Sequence, residues 1–198
     1  MANLVIPSDE DNRLKKELEN RTDSEADRIK RYLNMADLSR KDSGPIRELV
    51  NNIVELEQFK GFDVITVPEI VPASASFDLF NFPADHPARS KSDTYYVDDK
   101  NILRTHTTVM WYYYFQQPEV RAKIAGNIPL GVLSYGKVYR KDEIDRNHMN
   151  IFHQMDGLYL HPTSEKKITQ DDLKEVLGNV VKAAFGPDIK YRFNQDNF

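Results

Sequence analysis

The chain has 198 residues, 40% of them hydrophobic, a net charge of −4 and no cysteine. That balance suits one globular domain with a sizeable core, disfavours disorder, and excludes disulfides and thiolate metal sites. No apolar run approaches a membrane span, the start MANLVIPSDEDNR lacks a signal-peptide pattern, and the negative charge confines any nucleic-acid contact to a local basic surface, so a cytoplasmic protein without a membrane partner is expected.

Residues 8–33 are rich in charge, and Leu14, Leu18, Ile29, Tyr32 and Leu33 give them only a thin apolar stripe. A solvated, partly frayed N-terminal helix is expected there. Asp42-Ser43-Gly44-Pro45 predicts a helix start, with proline in the first turn. Ile46, Leu49, Val50, Ile53, Val54 and Leu56 recur near helical spacing, and Gly61 is expected to end that helix. FDVITVPEIV then reads as a strand-rich run limited by Pro68. Pro72, Pro83 and Pro87 punctuate an irregular loop over residues 74–93.

TYYVDDKNILR, Thr94 to Arg104, predicts a hairpin with a polar turn. THTTVMWYYYFQQPEV predicts a helix capped near Thr105 or Thr107, broken by Pro118, with Tyr112–Phe115 as core. A second hairpin is predicted from LGVLSYGKVYR and NIFHQMDGLYL, residues 130–140 and 150–160. Thr169 opens a strongly periodic helix through Leu173, Val176, Leu177, Val180, Val181 and Ala184, stopped at Gly186-Pro187. IKYRF, residues 189–193, reads as a last short strand at a sheet edge. Hairpins with segregated helices imply an α+β fold on a mainly antiparallel sheet.

The second hairpin carries the chemistry. Side chains alternate across a strand, so Phe152, Gln154, Asp156 and Leu158 share one face and His153, Met155 and Gly157 the other. Gln154 and Asp156 between apolar neighbours are costly to bury unless satisfied. Two readings stand: a structural hydrogen-bond network, or a polar pocket floor with Asp156 set for an ammonium group and Gln154 for a polar ligand atom. Arg140, at the end of the outgoing strand, suits a phosphate or carboxylate, and His148 across the loop offers a second donor. The pattern suits a ligand with anionic and cationic parts, such as an aminoacyl adenylate.

GKVYRKDEIDRNHMNIFHQMDGL resembles motif 2 of the class II aminoacyl-tRNA synthetases, and in detail the α subunits of phenylalanyl-tRNA synthetases. DHPARSKSDTYYV (Asp85 to Val97), ILRTHTT (Ile102 to Thr108) and the motif 1-like GFDVITVPEI, with Pro68, agree in order and spacing over about residues 40–198. The resemblance implies a class II catalytic fold, an antiparallel sheet flanked by helices, over residues 41–198. Residues 1–40 would form an N-terminal helical extension. It implies a phenylalanine–tRNA ligase using ATP and Mg2+, working with a β subunit in an (αβ)2 assembly on tRNA(Phe).

By the same resemblance Arg140 would hold the ATP α-phosphate and act catalytically, with Asp142, His148 and the adenine-stacking Phe152 as further ATP contacts. His106, Thr108, Gln154 and Asp156 would hold phenylalanine, and His86 and Arg89 would brace a loop. No metal ligand of the protein's own is implied. Asp156 stands where the family commonly has glutamate, Thr108 where serine is expected, and Trp111 where a polar residue is usual. These departures keep open a related synthetase for another amino acid. A glycine-rich motif 3 with its ATP-binding arginine is not found. The chain therefore reads as a partial α subunit, inactive by itself, with a non-catalytic paralogue as the remaining alternative.

Overall fold

The computed structural model describes residues 3–194. The chain runs through β1 (Asn3–Val5), α1 (Asp9–Glu19), α2 (Ser24–Asn34), α3 (Pro45–Val54), β2 (Asp63–Thr66), β3 (Ile70–Pro72) and α4 (Ala73–Ser76). It continues through β4 (Asn101–Leu103), α5 (Met110–Tyr114), α6 (Pro118–Ala125), β5 (Leu130–Tyr139), β6 (Ile151–Leu160) and α7 (Gln170–Phe185). Single 3-10 turns lie at Glu57–Phe59, Asp78–Phe80, Pro87–Arg89 and Thr107–Val109.

The main sheet has the order β1-β2-β5-β6. β2 pairs in parallel with both β1 and β5, and only β5 and β6 are antiparallel. The sheet is therefore mixed: the long β5–β6 pairing is antiparallel as expected, and the short pairings of β2 are parallel, which was not anticipated. Long helical connections precede and follow β2, and such crossovers are what parallel neighbours require. β1 was not anticipated, because three residues carry no readable period. Every residue of β5 is buried, as befits a strand covered on both sides and paired along both edges. β3 and β4 form a separate small antiparallel pair, extended by a bridge from Tyr96 to Ile102.

Residues 8–34 are two capped helices, not one frayed helix. Ser8 and Asp23 cap α1 and α2 by accepting from Asp11 N (3.3 Å) and Ala26 N (2.9 Å). The thin stripe finds partners far away in the chain: Leu14, Leu18, Ala26 and Ile29 are fully buried with Ile70, Tyr95, Leu103 and Tyr139. Polar contacts add to this. Asp11 accepts from Ile70 N at 2.9 Å, and Arg21 donates to the Val97 carbonyl at 2.6 Å. At the C-terminus of α2 the buried Lys137 ammonium donates to the carbonyls of Tyr32 (3.3 Å), Leu33 (3.0 Å) and Met35 (2.7 Å), and pairs with Glu69 at 3.2 Å. A cation there satisfies orphan carbonyls and complements the helix dipole.

α3 starts where Gly44-Pro45 predicts but ends at Val54. Gly61, at φ +82°, instead closes the turn that follows Glu57–Phe59. Tyr113 and Tyr114 belong to the core as expected, whereas Tyr112 is exposed. α7 carries a full capping box between Thr169 and Asp172, and seats Val176 and Val180 against Phe59, Leu133 and Met155. Leu173 and Leu177, on the same periodic stripe, are exposed. Residues 189–193 form no strand: no described strand lies alongside, and Tyr191 packs edge-to-face on Phe193. Residues 195–198 of the expected extended domain lie outside the described residues.

Burial of the N-terminal helices has a measurable consequence. Leu18→Ala should lower unfolding stability by about 2–5 kcal/mol, the usual cost of emptying a well-packed leucine site. Urea denaturation reads this directly, and a loss below roughly 0.5 kcal/mol, typical of a surface position, would show that the helices add nothing to the core.

Candidate active site

The site begins with how the segment from Arg104 to Val109 is laid over the β5–β6 hairpin. Arg104 is buried, and its guanidinium donates to the carbonyls of Lys137 (2.8 Å) and Val67 (2.9 Å). Its own carbonyl accepts from Tyr139 N at 3.0 Å. Gly136, at φ +154°, makes room: a Cβ there would fall 2.5 Å from the Arg104 guanidinium. The following turn is thereby held against the hairpin, with its threonines facing β6.

Those threonines meet the polar strand face. Thr107 N donates to Gln154 Oε1 at 3.3 Å. The hydroxyls of Thr107 (2.6 Å) and Thr108 (3.1 Å) both donate to Asp156 Oδ2. Arg140 donates from Nε to the Thr105 carbonyl at 3.2 Å, and its guanidinium lies 5.2 Å from the centre of the Phe152 ring. Arg140, Phe152, Gln154, Asp156 and Thr108 are thus brought together on one face. The alternation holds on the other side, where His153 accepts from Leu38 N at 3.0 Å and Met155 packs beside Val50 and Leu133.

His106 stands at the rim. Its Nε2 lies 3.0 Å from the Ser76 carbonyl and its ring meets Phe80 edge-on at 5.0 Å. A carbonyl only accepts, so Nε2 carries the proton and Nδ1 is the acceptor, buried without a partner among the described residues. Burial holds the His106 pKa below its ordinary value, outweighing the Ser76 contact and the Asp156 charge, which favour protonation. Trp111 tilts against Phe80 at 5.5 Å, and its indole N–H is likewise buried and unpartnered among the described residues.

Two of the expected residues are not gathered here. His148 is 58% exposed on the loop, where its imidazole bonds Asp145 at 2.9 Å and its pKa is raised by that contact. Asp142 is partly buried and engages through its backbone carbonyl, which accepts from Asn150 at 2.8 Å. His86 and Arg89 brace the preceding loop: His86 accepts from Ala88 N at 3.2 Å, and Arg89 donates to Asp78 and to the Phe82 carbonyl, each at 2.7 Å. Thr107 is the contact that the sequence reading missed. The doublet Thr107-Thr108 was its only signal, and strand parity elsewhere says nothing about a turn.

The floor therefore has a cation at one end, a carboxylate at the other, and an amide and an aromatic ring between. That arrangement fits a ligand with a phosphate and an ammonium group. Among the described residues no group of three or more carboxylates or imidazoles is placed to hold a metal ion.

Solved structures of pyrrolysyl-tRNA synthetase from Desulfitobacterium hafniense share the fold, one at TM-score 0.56 and 20% identity over 89% of this chain and 67% of the other. A second structure of that protein gives a TM-score of 0.55 at 18% identity, over 91% and 68% of the two chains. The architecture is thus the fold that those structures share. Residues 30–198 match the family described as tRNA synthetases class II core domain (F), and the chain belongs to that family. Among curated proteins it is 35% identical over 153 residues to the phenylalanine–tRNA ligase α subunit of Caldicellulosiruptor bescii, covering 77% of this chain and 42% of that protein. It is 36% identical over 154 residues to the α subunit of Mycoplasmoides gallisepticum, covering 78% and 43%. The chain spans about two-fifths of the length of these relatives.

The depressed His106 pKa gives a signed pH effect. The unfolded chain takes this proton near pH 6.5 and the folded chain only at lower pH. The contribution to stability is therefore present above about pH 6.5 and lost as pH falls toward the folded value. His106→Gln should flatten the loss of urea midpoint between about pH 7 and pH 5 relative to the unaltered protein. Identical slopes for the two would contradict a buried neutral imidazole.

Proposed function

We propose that the chain is the motif 1 and motif 2 portion of a phenylalanine–tRNA ligase α subunit. The complete subunit would activate phenylalanine with ATP and pass the aminoacyl group to tRNA(Phe), together with a β subunit in an (αβ)2 assembly. The observation that supports this most is the single face of β6 on which Phe152, Gln154 and Asp156 line up beneath Arg140, closed by Thr107 and Thr108. Adenine stacks on Phe152, the α-phosphate lies at Arg140, and the phenylalanine ammonium sits at Asp156. Gln154, Thr108 and His106 orient the rest of the amino acid. Asp142 would help order the loop and the nucleotide, and His148 would lie near the outer phosphates.

The chemistry needs no protein nucleophile. A phenylalanine carboxylate oxygen attacks the α-phosphorus in line, the new O–P bond forms, and the bond to the bridging oxygen breaks, releasing pyrophosphate. A ribose hydroxyl of the terminal tRNA adenosine then attacks the acyl carbon and AMP departs. The protein's contribution is to align the reactants and place charge where it develops. Magnesium, carried in on the ATP phosphates, is the expected cofactor.

A second reading, a related synthetase for another amino acid, rests on Trp111, which packs against Phe80 beside His106. Preferential activation of a different amino acid in a substrate panel would decide for it.

In a complete α subunit assembled with its partner, Arg140→Ala should slow phenylalanine-dependent pyrophosphate exchange by about 2.7–4 kcal/mol of lost charge stabilisation. Unchanged exchange would make Arg140 a bystander. Asp156→Asn keeps size and hydrogen-bonding capacity but removes the charge. Phenylalanine affinity should weaken by roughly 1.5–3 kcal/mol, with ATP affinity and melting temperature little changed. A fall in stability with equal damage to both substrates would assign Asp156 a structural role instead.

A further inference from the structure

The neck of the loop between β5 and β6 is tied to α2. We propose that Asn150 is a positioning residue that sets the direction of Arg140 through this tie. The proposal rests on the adenylate-forming reading given above.

Asn150 holds Arg140 by both backbone groups. The Arg140 N–H donates to the Asn150 carbonyl at 3.0 Å, and the Asn150 side-chain amide donates back to the Arg140 carbonyl at 3.1 Å and to the Asp142 carbonyl at 2.8 Å. Its remaining side-chain atom, Oδ1, accepts from the Tyr32 hydroxyl at 3.2 Å. Both amide donors and the amide oxygen are engaged, so the side chain has one orientation. Tyr32 belongs to α2, whose C-terminal carbonyls are gripped by Lys137, three residues before Arg140 on the same strand. The loop just past the outgoing strand is tied to the same helix two turns nearer its start, where Lys141 donates to Glu25 at 2.6 Å and to the Lys91 carbonyl at 2.9 Å.

The geometry matters because Arg140 reaches its site on a long side chain. A small backbone rotation at the neck moves the guanidinium by ångströms, and beyond the neck the loop residues Glu143–Met149 are exposed and supply no brace. Thr105 and Phe152 hold the far end of the side chain, while Asn150 holds its root. An alanine at position 150 leaves the carbonyls of Arg140 and Asp142 without this donor. A phenylalanine at position 32 removes one hydroxyl and keeps the ring packed on Tyr95, 5.2 Å away.

The test is a double-mutant cycle in the complete α subunit assembled with its partner subunit, read by phenylalanine-dependent pyrophosphate exchange. Asn150→Ala should lower kcat by roughly 10- to 100-fold, as a misplacement of about 1 Å does, with the KM for phenylalanine within about twofold. Tyr32→Phe, a milder change that preserves packing, should lower kcat by about 3- to 10-fold. Combined with Arg140→Ala, both losses should nearly vanish, because a residue acting through Arg140 has nothing left to position. Equal fold losses with and without Arg140 would reject the positioning role, as would normal kcat in Tyr32→Phe alongside an Asn150→Ala loss that follows its melting temperature. If Arg140→Ala alone leaves exchange intact, or the unaltered enzyme shows no exchange, the adenylate reading fails and takes this proposal with it. Additive losses with an intact dependence on Arg140 reject the positioning role alone.

Discussion

Everything at the site depends on the register between β5 and β6. Ten residue pairs run from Leu130 opposite Leu160 to Tyr139 opposite Ile151. A slip of one residue would turn Phe152, Gln154 and Asp156 to the back of the sheet and bring His153 and Met155 to the front. The back face could not accept that exchange. It is filled by α3 and α7 around Met155, and by the Asp37–Leu38 turn that holds His153. The front face could not accept it either, since the threonine hydroxyls would then face a thioether instead of a carboxylate. Packing on one side and hydrogen bonding on the other select the same register.

Buried charge reinforces it. Arg104 and Lys137 lie inside the molecule, where an unsatisfied cation costs several kcal/mol. Both are satisfied mainly by main-chain carbonyls: Arg104 by Val67 and Lys137, and Lys137 by the end of α2, with Glu69 as counter-charge. Carbonyls at fixed places in three different elements make these contacts specific to one arrangement of α2, the segment after β2, and β5. The N-terminal helices therefore share the core of the domain that carries the site. The site's floor, its threonine rim and the helix behind it form one connected body.

Much of this was legible in the sequence, and the reason is local. The strands of the second hairpin were placed within a residue at each end, because period-2 alternation and a long charged loop bound them on both sides. That Phe152, Gln154 and Asp156 share one strand face followed from strand parity alone. The burial of Leu14, Leu18 and Ile29 was not legible, since their partners Ile70, Leu103 and Tyr139 lie far along the chain. The same holds for the parallel pairings of β2, which no segment encodes by itself. IKYRF has a strand-like composition but no neighbour to pair with, and His148 found a partner three residues away in Asp145 before it could reach across the loop. Thr107 escaped notice because a turn has no period to read.

The central claim is that one strand face, from Phe152 to Asp156, holds an aminoacyl adenylate with Arg140 above it. A crystal structure of the assembled enzyme with a non-hydrolysable phenylalanyl adenylate analogue, its phosphate replaced by a sulfamoyl group, tests this most directly. The adenine ring should lie on Phe152, the sulfamoyl oxygens within hydrogen-bond distance of Arg140, and the ammonium against the Asp156 carboxylate. An analogue bound elsewhere, with this face bare, would contradict the account.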